Sequence, residues 1–77
     1  MSDPELVAPL GSEWTPAEVR VIEAMRSARS EAEAASRLGI SRHTVHTHLR
    51  NARSRCGAAT TRELLVAYHD CAVANRV

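Results

Sequence analysis

From residue 14 onward, three copies of one local signal divide this chain: a hydroxyl residue followed three positions later by glutamate, at Thr15/Glu18, Ser30/Glu33 and Thr60/Glu63. The serine or threonine accepts a hydrogen bond from a free N–H of a helix's first turn, and the glutamate reaches back to the chain before it. Each box therefore opens a helix. Pro16 strengthens the first one, because the first helical position needs no N–H. Trp14 before that cap and Val19 inside the helix are placed to form a hydrophobic staple.

Apolar residues at 3.6-residue spacing continue from each start. The first helix is expected over about 16–28, with Glu18, Val21, Ile22, Met25 and Ala28 on one stripe. The second is short, with Ala34, Ala35 and Leu38 inward, and Gly39 stops it by supplying a positive φ. Ile40 is expected to plug the turn. Ser41 then caps a third helix running to about Cys56, with Val45, Leu49, Ala52 and Cys56 inward. The fourth runs to about residue 73, with Leu64, Ala67 and Cys71 on one face and Leu65, Tyr68 and Ala72 beside it. Nothing alternates with a period of two, so an all-α fold of four helices is expected.

Residues 1–13, with Pro4, Pro9 and Gly11 and no period, read as a mobile N-terminal tail to a single domain over 14–77. Met1 and this tail suggest a natural start. The segment lacks the basic and apolar regions of a signal peptide, and no apolar run approaches the roughly 20 residues of a membrane span. A cytoplasmic protein without membrane partners is expected. Trp14 and Tyr68 are the only aromatic residues among 77. An aliphatic, thin core follows, worth a few kcal/mol and helped by dimerisation. Cys56 and Cys71 form no C-x-x-C pair and are expected as two buried thiols.

The net charge of +1 conceals an asymmetry. Residues 1–33 are acidic on balance. Residues 34–62 contain no acid and six arginines: Arg37, Arg42, Arg50, Arg53, Arg55 and Arg62. One face for a polyanion is implied. That basic third coincides with a short helix, a three-residue turn at Gly39–Ser41 and a longer helix, which together describe a helix-turn-helix. The outward face of the longer helix offers Arg42, His43, His46, Thr47, Arg50, Asn51 and Arg53. All of these can donate to phosphate or base edges.

Thr15-Pro16-x-Glu18, Ser30-x-x-Glu33, Arg37-Leu38-Gly39-Ile40-Ser41, Thr44-Val45-His46-Thr47-His48-Leu49-Arg50-Asn51 and Thr60-x-x-Glu63-Leu64 lie in one register from Trp14 to Ala67. In that register the chain resembles the LuxR/FixJ/GerE helix-turn-helix family. The resemblance implies a four-helix domain of the LuxR C-terminal type that binds double-stranded DNA and regulates transcription. By position it implies base contacts from His46, Thr47 and Arg50. It places Ser41, Arg42, His43, Thr44, His48 and Arg53 near the phosphate backbone. It also implies a homodimer through the last helix, with Leu65, Tyr68, His69 and Ala72 at the contact. The positions of Ala34, Ala52, Cys56 and Ala58 usually hold larger aliphatics in this family, and that of His46 a lysine.

Two other readings fit the residues. Thr44-Val45 followed by Arg50-x-x-Arg53-x-Arg55 also suits a sigma-factor region-four-like module that binds a promoter with RNA polymerase. A stand-alone interaction protein could pair through the last helix with another, full-length regulator and block it. Catalysis has no support, since Glu18, Glu33 and Glu63 are accounted for as caps. No cofactor or metal is expected: His48 points away from the His43/His46 face, and Cys56 belongs to the inward stripe.

Overall fold

Each helix begins at the cap that announces it. The computed structural model describes residues 14–74, so the expected tail at 1–13 lies outside the described residues. Four helices follow in order: α1 (Pro16–Met25), α2 (Glu31–Leu38), α3 (Arg42–Cys56) and α4 (Thr61–Ala74). Among the described residues there is no strand. Thr15 and Glu18 form a complete reciprocal box, the Thr15 hydroxyl accepting from the Glu18 N–H and the Glu18 carboxylate from the Thr15 N–H, both at 3.1 Å. Ser30 and Thr60 accept from the N–H of Glu33 and Glu63. The two glutamates reach one residue further back than in the full box, to the N–H groups of Arg29 and Ala59.

Gly39 and Gly57 end α2 and α3 in the left-handed region, at φ 69° and 73°. At Gly39 the Ile40 N–H donates to the Ala35 carbonyl and the Gly39 N–H to that of Ser36. These bonds satisfy two of the carbonyls in the last turn of α2 and turn the chain into α3. The first helix closes at Met25, earlier than residue 28, because the Arg26 N–H bonds back three residues to Glu23. Ala28 still donates to Ala24 in a separate turn.

α3 packs against all three other helices, whereas α2 and α4 do not meet. The core lies around it: Ile22, Ala34, Val45, Ala52 and Leu64 are wholly buried. Trp14 supplies the aromatic wall. Its ring stands 5.5 Å from that of Tyr68, and its Nε1–H donates to the Ala52 carbonyl at 3.1 Å, so the buried indole leaves no polar group unpaired.

Three expectations need correction, at Tyr68, Ile40 and Cys56. Tyr68, expected on the dimer face, is buried at 5% exposure. The Trp14 ring draws it inward, and its hydroxyl donates to Glu23. Ala67 and Cys71 face inward as expected, half-buried and packed against the core. Ile40 is 38% exposed rather than a plug, lining a surface cleft beside Ala17, Leu38 and His48. Cys56 is exposed and is a free thiol, since the last turn of α3 runs past the end of the core.

Candidate nucleic-acid interface

With 15 residues, α3 is about 22 Å long, enough to cross a major groove about 12 Å wide. Val45, Leu49 and Ala52 anchor its back in the core. On the opposite side Arg42, His43, His46, Arg50 and Asn51 are exposed, with Thr47 half-buried beside them. This is the arrangement that the spacing requires: residues four and three apart share the buried stripe, and their neighbours one and two positions on face out.

Ser41 fixes the start of the helix. Its hydroxyl accepts from the Thr44 N–H at 3.0 Å and shares a 2.8 Å bond with the Thr44 hydroxyl. Two hydroxyls joined by one bond leave one hydrogen free. The pair can therefore cap α3 and still donate to an anion at its N-terminus, where the helix dipole favours negative charge. His48 lies on the other flank, half-buried in a narrow cleft of about 90 Å³ shared with Ala17, Arg20, Leu38 and Ile40.

The arginines that composition grouped into one basic face divide into two sets. Arg37 is tied to Glu33 at 2.7 Å and to the Ser27 hydroxyl at 2.8 Å. Arg55 is paired with Glu18 at 3.1 Å; Glu18 is the buried acid of the core, so this pair joins α3 to α1. Arg53, expected near the phosphate backbone, is half-buried; its Nη1 donates to the Ala59 carbonyl at 3.3 Å, which ties it to the loop before α4. Arg42, Arg50 and Arg62 are exposed and hold no ion pair among the described residues. Of the six arginines in residues 34–62, these three are free to meet an anion.

Sequence reasoning passed over one contact at this face. Glu31 of α2 approaches His46 of α3, with Oε1 3.3 Å from Nδ1. Between them lies an open cleft of about 570 Å³ lined by Ser30, Glu31, Ala32, Arg42, His43 and His46. Among the described residues no group of three or more metal-ligating side chains converges, and no helix is long and apolar enough to cross a membrane.

On α4, Val66 and Val73 are 55% and 46% exposed. They share a face with the exposed His69, and Leu65 and Ala72 lie half-buried beside them.

Among known protein families, the model described as bacterial regulatory proteins, luxR family, matches residues 12–68. No curated protein and no solved structure matches the chain.

Proposed function

This chain belongs to the luxR family of bacterial regulatory proteins, helix-turn-helix proteins that bind DNA and regulate transcription, and we propose that it reads double-stranded DNA with α3 in the major groove. His46, Thr47 and Arg50 contact base edges. Ser41, Arg42, His43 and Thr44 orient the domain on phosphates, with His48 and the remaining donors of Arg53 at the margins. One observation carries the reading: α3 contains no acid, its back is locked into the core, and the exposed side offers donors together with the unpaired Arg42 and Arg50. Membership of the family favours this reading over the sigma-factor-like module.

The partner is a second copy of the chain, joined through α4. Leu65, His69 and Ala72 remain at the proposed contact. Tyr68 leaves it because it is buried, and Val66 and Val73 join it. Two half-sites about one helical turn apart, or closer, would then be bound together.

In vitro selection of bound sequences from random duplexes tests the reading. Enrichment of a symmetric pair of half-sites is expected. Arg50→Ala should cost about 1–3 kcal/mol per half-site and relax preference at one base position. Uniform weakening over all sequences would make Arg50 a phosphate contact. If the unaltered protein enriches no sequence and instead captures a full-length regulator, the blocking reading replaces DNA recognition.

A further inference from the structure

Glu31 is half-buried and faces the same groove that α3 would read. It forms one wall of the cleft with Ser30 and Ala32, opposite Arg42, His43 and His46. Since α3 has no acid of its own, Glu31 is the carboxylate that the half-exposed imidazole of His46 meets among the described residues, at 3.3 Å from Nδ1. The other ionisable groups of that cleft, Arg42 and His43, are cations or neutral.

A neutral imidazole carries one hydrogen, on Nδ1 or on Nε2, and the partner of one nitrogen decides the state of the other. A lone pair on Nδ1 facing a carboxylate at this distance is repelled, whereas a hydrogen there is attracted. We infer that Glu31 is a specificity-determining positioning residue: it holds the hydrogen of neutral His46 on Nδ1 and leaves Nε2 as an acceptor for a base edge. In the major groove cytosine N4 and adenine N6 donate, whereas guanine O6 and N7 and thymine O4 only accept. An Nε2 lone pair therefore selects a base that carries an amino group there, and the opposite tautomer selects a base that lacks one. The inference rests on the proposed placement of α3 in the groove. It differs from a purely electrostatic role, in which Glu31 would repel phosphates equally on every sequence.

Two measurements at pH 8, where a histidine side chain is ordinarily neutral, separate these cases. The first is the nitrogen-15 shifts of the His46 ring in the free protein, which report the tautomer without any DNA. Unaltered protein should show the hydrogen on Nδ1. Glu31→Gln, whose amide offers both donor and acceptor, and Glu31→Ala, which offers neither, should both move it toward Nε2. The second is selection from random duplexes with the same proteins and His46→Ala. The unaltered protein should favour an amino-bearing base at one position of each half-site. Both Glu31 variants should keep the rest of the half-site but lose that preference by about fivefold, the worth of one hydrogen bond. His46→Ala should lose it as well.

An Nε2-bound hydrogen in the unaltered protein overturns the inference whatever the DNA result. So does uniformly tighter binding by the Glu31 variants with base preference intact. If the unaltered protein enriches no sequence, the groove reading fails and the specificity role falls with it, even where the ring shifts come out as expected.

Discussion

The phenol of Tyr68 sits where two interactions meet. Its ring lies against Trp14 and its hydroxyl donates to the carboxylate of Glu23, joining α4 to α1. Burial, reinforced by that hydrogen bond and by the Glu23 charge, pushes the phenol up to about 12 from an ordinary value of 10.0. The folded state therefore keeps the proton to higher pH than the unfolded chain does. The resulting stabilisation is fully present below pH 10 and is lost as pH rises from about 10 to about 12. The loss is about 3 kcal/mol, a large share of the stability expected from so thin a core. The chain has no lysine and no second tyrosine, so no other side chain ordinarily titrates in that window. Phenolate absorbance should rise only near pH 12 in the folded protein, and denaturant midpoints should fall across the same interval. Tyr68→Phe should cost about 1 kcal/mol at neutral pH and remove the alkaline decline. A phenol that ionises near pH 10 with the fold intact would contradict this account.

At the scale of elements, the joint between α2 and α3 depends on backbone conformation rather than on a close fit. Gly39 has a φ of +69°, and a Cβ built there meets nothing within 4 Å. Gly39→Ala should therefore cost about 1 kcal/mol, the price of the left-handed region for an L-residue, and Gly39→Asn less. Denaturant unfolding with an unchanged m-value checks this; a loss above about 3 kcal/mol would mean that a clash has been overlooked. The same joint explains how much of the fold is legible in the sequence. Thr15, Ser30, Ser41 and Thr60 act on N–H groups two or three residues away, so the helix starts can be read locally. The buried stripe of α3 follows from its period for the same reason, and with it the outward row of Arg42, His43, His46 and Arg50. Pairings between distant residues leave no such trace. Arg55 meets Glu18 across 37 positions and Tyr68 meets Glu23 across 45, and neither separation has a local pattern. Helix ends mislead for a related reason: Cys56 keeps the inward phase of α3 but is exposed, its thiol bonded only within its own helix, to the Arg53 carbonyl.

For the whole molecule, the arrangement of the helices leaves one element incompletely covered. α3 is enclosed by three neighbours, but α4 packs only on α1 and α3 and turns Val66 and Val73 outward. Small domains bury a modest fraction of their surface on folding, and pairing α4 with its copy would add apolar burial that one chain lacks. The geometry also suits recognition, because two α3 helices held by one α4 pair make the second half-site encounter intramolecular. Replacing both valines by glutamate, Val66→Glu with Val73→Glu, separates this proposal from a merely solvated surface. Both side chains are exposed in the single chain, so stability of the monomer should change by no more than about 0.5 kcal/mol. Sedimentation equilibrium should show the unaltered protein self-associating at micromolar to high micromolar concentration and the double variant remaining monomeric. On a duplex with two half-sites the variant should bind each one independently, with the affinity of a single half-site and no gain from the pair. Equal self-association by the two proteins would move the interface off α4. An unaltered protein that stays monomeric at high micromolar concentration, both free and on DNA, would leave Val66 and Val73 as surface residues without a partner and would reduce the operator to a single half-site.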